Sequence, residues 1–165
     1  MSKPWKDVTS LAKSFSYALR GFRFAVDNER NMRIHLATAL LVMEFALLYR
    51  LERIEYMVLL LLFGLMLAAE MLNTAIEALV NLNTSGYDTL ARIAKDVAAG
   101  AVFVLAVTSV LVGLLLFGHP QRLWRTLALF WEHPLLLAVA AVELVLLWLF
   151  IFRWNKRNRN RGGKE

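Results

Sequence analysis

Cysteine is absent from the 165-residue chain. This absence excludes disulfide bonds, thiolate nucleophiles and sulfur ligands, so any metal site must use oxygen or nitrogen atoms. The sequence also contains no Walker sequence, no kinase glycine-rich loop and no His-Arg-Asp pattern. Any use of ATP must therefore depend on a fold other than the common soluble nucleotide-binding folds.

Charged residues are scarce as well. They make up 19% of the chain, whereas hydrophobic residues make up 59% and the mean hydropathy is +0.52. These values exceed those of ordinary soluble domains and indicate an integral membrane protein. The short polar stretches favour one compact helical unit.

The net charge of +6 is concentrated at the two ends of the chain. Up to Arg33 there are seven basic residues against three acidic ones, and after Phe152 there are six against one. Basic flanks beside apolar spans are explained by membrane orientation and anionic headgroups, so nucleic acid is not expected as a partner.

Hydrophobic periodicity predicts an all-α integral membrane bundle with an N-terminal amphipathic surface helix and about four transmembrane helices. The surface helix covers 5–27, and either lies in the headgroup plane or packs on the rest of the protein. The predicted spans are about 34–50, 56–82, 97–117 and 134–152. Polar residues 27–33 are predicted as a connector, 83–96 as a loop, 121–132 as an interfacial segment and 153–165 as a disordered basic tail.

An even number of spans places both termini on one side of the membrane. Because both ends are basic, the positive-inside rule assigns them to the cytoplasm, together with the loop between the second and third spans. Five charged residues would then lie together at the cytoplasmic face, where ATP is available. They are Glu29, Glu77, Asp88, Lys95 and Asp96.

Two glutamates interrupt the second apolar span. Glu70, Asn73, Thr74 and Glu77 share one helical face through their 3-4-7 spacing, although such residues are costly in a membrane. Glu77 lies nearer the cytoplasm, and Glu70 lies two turns deeper, where a base is able to accept a proton from a lipid hydroxyl.

This arrangement suits magnesium and polyphosphate, since Mg²⁺ prefers oxygen ligands and uses one or two carboxylates with phosphate oxygens. Glu29 and Glu77 are candidate ligands, Lys95 would balance phosphate charge, and backbone N–H groups at the start of the third span would help. The same residues are also compatible with hydrogen-bonded structural roles or an ion pathway. Glu44, in the first span, is interpreted as structural rather than as part of a polar cavity.

Two separated motifs resemble those of the prokaryotic diacylglycerol kinases and undecaprenol kinases, which are small bacterial membrane lipid kinases. The first motif runs from Glu70 to Glu77 and the second from Ala94 to Ala101. Supporting matches occur in the surface helix and in the connector, namely Phe15, Tyr17, Ala18, Gly21, Glu29, Arg30, Asn31, Arg33, Ile34 and His35. The resemblance covers Ser14 to about Phe117, so 1–117 is predicted as the lipid-kinase domain and 118–165 as an addition.

The resemblance implies a homotrimer in the bacterial inner membrane with active sites shared between subunits. It implies Glu70 as the catalytic base and Glu29 and Glu77 as Mg²⁺ ligands. Residues implied to contact ATP are Tyr17, Glu29, Glu77, Gly86, Tyr87, Asp88, Lys95 and Asp96. Residues implied to contact the lipid are Glu70, Asn73, Asn31, His35 and Ala99.

The chain departs from the family pattern at two places. Asn81 replaces the usual aspartate one turn after Glu77, and a fourth span is added. The resemblance implies transfer of the γ-phosphate of MgATP to a lipid hydroxyl, with undecaprenol favoured over diacylglycerol because of the Glu-Arg-Asn-x-Arg-Ile-His connector at residues 29–35. The alternative is a noncatalytic membrane scaffold or a small ion-conducting oligomer with the same fold.

Overall fold

A computed structural model describes residues 4–83 and 88–159, which form helices and contain no strand. The six helices are α1 (Pro4–Asn28), α2 (Arg30–Tyr49), α3 (Arg53–Asn83), α4 (Thr89–Phe117), α5 (Pro120–Glu132) and α6 (Pro134–Arg159). Helices α2, α3, α4 and α6 are long and apolar enough to cross a membrane. The all-α fold with a surface helix and four spans is thus confirmed.

The amphipathic helix α1 touches the bundle mainly near its C-terminal end. Ala25 is buried there, whereas the apolar side chains of Leu11, Phe15 and Leu19 are exposed. The rest of the described chain does not cover this apolar face. Of the two interpretations of this helix, the structure favours a face that meets lipid or another subunit.

The predicted connector over 27–33 is wrong, because α2 begins at Arg30. Only Glu29 interrupts the helices, with an extended backbone at φ −99° and ψ 121°. At the other end of α2, Arg50 adopts a left-handed conformation with φ 58°, and its N–H reaches the carbonyls of Ala46 and Leu47. A single left-handed residue commonly ends a helix in this way.

The predicted loop over 83–96 is too long. Helix α4 begins at Thr89 because the Asp88 carboxylate accepts hydrogen bonds from the N–H groups of Leu90 and Ala91, at 2.7 and 3.2 Å. Lys95 and Asp96 therefore lie within the helix rather than at its start. Backbone N–H groups beside Lys95 lie within the helix, so the expected contribution of helix-start N–H groups to phosphate binding refers to the first turn at Thr89 and stays a prediction.

Aromatic side chains close one end of the bundle. The rings of Phe45, Tyr49 and Phe117 pack against one another, with centroids 5.2–5.9 Å apart. The Tyr49 hydroxyl donates to the His119 carbonyl at 3.4 Å and accepts from the His119 N–H at 3.2 Å. These contacts, which we call the aromatic end, join the C-terminal end of α2 to the junction of α4 and α5.

The added helix α6 packs against α2 through two polar contacts. The carboxyl groups of Glu143 and Glu44 lie against each other within the two spans, and the Arg33 guanidinium donates to the Ile151 carbonyl at 3.2 Å. Helix α6 continues to Arg159, so the tail predicted as disordered from residue 153 is helical over its first part. Residues 160–165 lie outside the described residues.

Candidate active site

Glu70 lies on α3 inside the bundle, with only 1% of its surface exposed. Neither of its carboxyl oxygens has a hydrogen-bond partner among the described residues. Thr74 on the same face is also buried, but its hydroxyl donates to the Glu70 backbone carbonyl at 2.9 Å and does not reach the carboxyl group. A buried carboxyl group without a partner is expensive, which makes Glu70 a candidate site residue.

Glu29 and Glu77 form an acidic pair at the same end of the bundle, with Glu70 within electrostatic range of both. Asn73 donates to the Glu77 carboxylate at 3.1 Å and fixes its position. Burial raises the pKa of Glu29 above its ordinary value, the nearby Glu77 raises it further, and the positive charge of Arg33 opposes both effects. Together, Glu29, Glu70, Asn73 and Glu77 form what we call the acidic end.

The repulsion between Glu29 and Glu77 is the kind that a divalent cation relieves. Two carboxylates suffice for Mg²⁺ when substrate phosphates and water supply the remaining ligands. Among the described residues there is no group of three or more His, Cys, Asp or Glu side chains arranged for a metal. The residues present thus fit a metal bound together with a phosphate-bearing substrate, rather than a cage made by protein alone.

Lys95 contacts the residue at which the chain departs from the family pattern. Its ammonium donates to the Asn81 side-chain oxygen at 2.7 Å, which joins α3 to α4 one turn beyond Glu77. A neutral partner leaves the positive charge of Lys95 uncompensated by this contact.

The other residues expected to contact nucleotide are not gathered around this pair. Tyr17 is exposed on α1, where its ring packs against the Arg20 guanidinium at 4.6 Å. Asp88 caps α4, and Asp96 is exposed on the same helix. Gly86 and Tyr87 lie outside the described residues.

Residues expected to contact lipid lie on helices that flank Glu70. Asn73 is buried beside it on α3, and one of its polar atoms, Oδ1, has no partner among the described residues. His35 on α2 is half-buried, whereas Asn31 on α2 and Ala99 on α4 are exposed. In one subunit, therefore, only Asn73 shares the enclosed environment of Glu70.

Sequence reasoning gave no role to Arg33, which the structure shows to be central to this end. Its side chain is 1% exposed and donates to the carbonyls of Val26 at 2.7 Å and Asp27 at 3.3 Å, besides that of Ile151. It ties the end of α1 and the start of α2 to α6. The sequence did show an arginine at the end of an apolar helix, which could have drawn attention to Arg33. Its hydrogen-bond partners are backbone carbonyls, which cannot be identified from a sequence.

Four apolar helices with an acidic group at one end define a multi-pass membrane protein with a polar site near one membrane face. Comparison with known proteins identifies its family. The sequence model described as "Prokaryotic diacylglycerol kinase" matches residues 16–117. The chain therefore belongs to the prokaryotic diacylglycerol kinase family and is a membrane lipid kinase, a phosphotransferase that acts on an alcohol.

Individual relatives agree with this assignment. An undecaprenol kinase of Bacillus subtilis is 48% identical over 105 residues, which are 64% of this chain and 85% of that protein. A diacylglycerol kinase of Synechocystis is 44% identical over 110 residues, 66% of this chain and 63% of that protein. A diacylglycerol kinase of Escherichia coli is 31% identical over 112 residues, 67% and 92% of the two chains. Membership of a kinase family implies ATP as the co-substrate.

Proposed function

We propose that this kinase phosphorylates the hydroxyl group of a membrane lipid, undecaprenol first and diacylglycerol second, with MgATP at the cytoplasmic face of the bacterial inner membrane. The observation that carries the proposed chemistry is the buried, unpartnered carboxyl group of Glu70, which lies deeper than the acidic pair. Seven helical residues separate Glu70 from Glu77, a depth difference of about 10 Å. ATP would approach the site from the aqueous side, at the depth of Glu77. The lipid alcohol would approach from within the membrane, at the depth of Glu70.

Each residue of the acidic end has a proposed part in binding. Glu29 and Glu77 would hold Mg²⁺, which when bound neutralises phosphate charge. Asn73 keeps the Glu77 carboxylate in place through its amide. The ammonium of Lys95, held by Asn81, would attract the phosphates of ATP. Tyr17, Asp88 and Asp96 remain proposed nucleotide contacts on the basis of the family resemblance.

In the proposed reaction the oxygen of the lipid hydroxyl bonds to the γ-phosphorus of ATP. The bond from that phosphorus to the bridging oxygen breaks, and ADP leaves with the bridging oxygen. The hydroxyl proton passes to the carboxylate of Glu70. The enclosed position of Glu70 keeps water from competing with the lipid alcohol as the acceptor of the phosphoryl group.

We further propose a homotrimer with sites shared between subunits. Support comes from the apolar faces that a single chain leaves uncovered, since only 6% of the candidate span in α4 is buried. The scattered positions of Tyr17, Asn31 and Ala99 also suit a site that a neighbouring subunit completes. Sedimentation in detergent gives the subunit number. Mixing an inactive Glu70 variant with an inactive Lys95 variant restores activity only if the two residues serve one site from different subunits.

The test of function is transfer of labelled phosphate from ATP to purified undecaprenol and diacylglycerol in mixed micelles. Transfer to undecaprenol should exceed transfer to diacylglycerol, and removal of Mg²⁺ should abolish both. A Glu29→Gln/Glu77→Gln double variant provides the inactive reference. Faster transfer to diacylglycerol would overturn the substrate preference, and no lipid phosphate with any alcohol would favour a noncatalytic scaffold.

A further inference from the structure

At the end of the bundle opposite the acidic end, three arginines surround a polar cavity of about 390 Å³. Arg50 ends α2, while Arg122 and Arg125 lie one turn apart on α5. All three are exposed. Helix α2 is 20 residues long, so this cavity lies about 30 Å from Glu29, at the other face of the membrane.

Positive charge prevails at this cavity. Among the described residues, the carboxylate paired with the cluster is Glu52, whose contact with Arg122 is 3.9 Å long and exposed to solvent. An exposed pair of this length is weak. The three guanidinium groups therefore leave a net attraction for an anion, and guanidinium groups suit phosphate in particular.

A second, larger cavity lies next to the arginine cavity, on its membrane side. It has a volume of about 650 Å³, is lined mainly by apolar side chains of α2, α5 and α6, and shares Leu48 with the arginine cavity as a common wall. Phe45, Phe130 and Val139 contribute to its lining, and the Glu44–Glu143 pair lies at its wall. Apart from these two carboxyl groups the lining is apolar, which suits a hydrocarbon chain.

The tryptophans of α5 place the arginines at the depth of lipid phosphates. Trp124 and Trp131 are 73% and 85% exposed on one side of this helix. Tryptophan is enriched at the level of the lipid headgroups, where its ring has both apolar and polar surroundings. With α5 held at this level, Arg122 and Arg125 face the phosphate layer and the apolar cavity faces the acyl chains.

From these observations we propose that α2, α5 and α6 form a binding site for one anionic glycerophospholipid at the membrane face opposite the kinase site. Its phosphate would lie among Arg50, Arg122 and Arg125, and one acyl chain would occupy the apolar cavity. A headgroup that carries its own cation would be repelled by the arginines, so phosphatidylglycerol fits better than phosphatidylcholine. The added segment 118–165 thereby gains a function separate from phosphoryl transfer.

Native mass spectrometry of the full chain, purified in detergent and offered equal amounts of the two lipids, tests the proposal. The wild type should retain phosphatidylglycerol over phosphatidylcholine. Each Arg→Gln change at the cavity should weaken retention about fivefold, and the three together about 100-fold. Arg53→Gln is the matched control, because Arg53 is an exposed arginine at the same membrane face outside both cavities.

A Val139→Trp variant tests the apolar part with every arginine in place. It should lose the lipid by filling the cavity, and inorganic phosphate should not displace the lipid from the wild type. Equal retention of the two lipids, unchanged binding in the triple variant, unchanged binding in Val139→Trp, or displacement by inorganic phosphate would each overturn the proposal. The measurement uses no ATP, so its failure is distinct from failure of the proposed kinase reaction.

Discussion

At the aromatic end of the bundle the Tyr49 hydroxyl is both donor and acceptor to the backbone of His119, whereas at the acidic end neither oxygen of Glu70 has a partner among the described residues. Both groups are buried. A satisfied polar group contributes to stability, and an unsatisfied one reduces it. The comparison indicates that stability is concentrated at one end, while the other retains unpaired groups for chemistry.

Arg33 reconciles the two requirements at the acidic end. Its guanidinium hydrogen-bonds to three backbone carbonyls from α1 and α6 and leaves both oxygens of Glu70 unpaired. The positive charge of Arg33 nevertheless acts on Glu29 through space. The acidic end therefore combines a hydrogen-bonded arginine with unpaired carboxyl oxygens.

After the change at Glu70 itself, the largest effect is expected for Glu77→Gln. Loss of one carboxylate from the acidic pair should reduce lipid phosphorylation by about 100-fold or more, because a metal bound to phosphate is worth several kcal/mol. Higher Mg²⁺ should recover part of the activity. The control Phe45→Leu, at the aromatic end, should lower the free energy of unfolding and leave the Mg²⁺ dependence of activity unchanged. An equal loss of activity in this control would show that the two ends do not have separate roles.

Arg33→Met should destabilise the acidic end without removing any carboxylate. Hydrogen bonds from a charged donor are worth about 1.5–3 kcal/mol, so a loss of about 2–3 kcal/mol is expected after the carbonyls find partial replacements. Reversible unfolding in mixed micelles measures this change. Arg30→Met is the control, since Arg30 is an exposed arginine close to Arg33 in the chain. Equal losses of unfolding free energy in the two variants would show that the hydrogen bonds of Arg33 do not stabilise this end.

The raised pKa of Glu29 predicts how Mg²⁺ binding depends on pH. Metal binding requires the deprotonated carboxylate, so the half-saturating Mg²⁺ concentration should rise as the pH falls through this raised pKa, by up to about tenfold per pH unit. The rise should begin at a higher pH than an ordinary glutamate would give. In Glu29→Gln this part of the pH dependence should vanish, and an unchanged profile would assign it to another group.

Tyr49→Phe gives the smallest expected effect. Removing the hydroxyl deletes two hydrogen bonds to His119 while the ring contacts remain, which should cost about 1 kcal/mol of unfolding free energy. Tyr56→Phe is a suitable control, because its ring packs against the same core. An equal or larger loss in the control would show that the Tyr49 hydroxyl contributes no more to stability than another tyrosine hydroxyl at this core.

Much of this architecture was predictable from the sequence because apolar length and periodicity determine which helices can span a membrane. The spans and the acidic face from Glu70 to Glu77 follow from these patterns alone. Helix ends were less predictable. The start of α4 depends on capping by Asp88, and the sharp break at Glu29 depends on tertiary contacts that a polar composition does not show.

The candidate site was predictable in part. Spacing grouped Glu70, Asn73 and Glu77, but their partners depend on how separate helices meet. Three contacts each join residues that lie on different helices. They are Lys95 with Asn81, Arg33 with Ile151, and Glu44 with Glu143. Glu44 was interpreted as structural, and its position against Glu143 of α6 is compatible with that interpretation.

The central claim is that both oxygens of Glu70 are kept free for a lipid alcohol, whereas Glu143, which leaves one buried oxygen unpaired, lies against Glu44 and takes no part in the reaction. The most direct measurement compares the phosphorylation rate of Glu70→Gln with that of Glu143→Gln, which alters a carboxyl group paired with Glu44. A general base typically contributes about 100- to 10,000-fold, so Glu70→Gln should lose activity on that scale while its Tm stays within a few degrees of the wild type. Glu143→Gln should keep nearly full activity. Near-wild-type activity in Glu70→Gln, or an equal loss in both variants, would contradict the account.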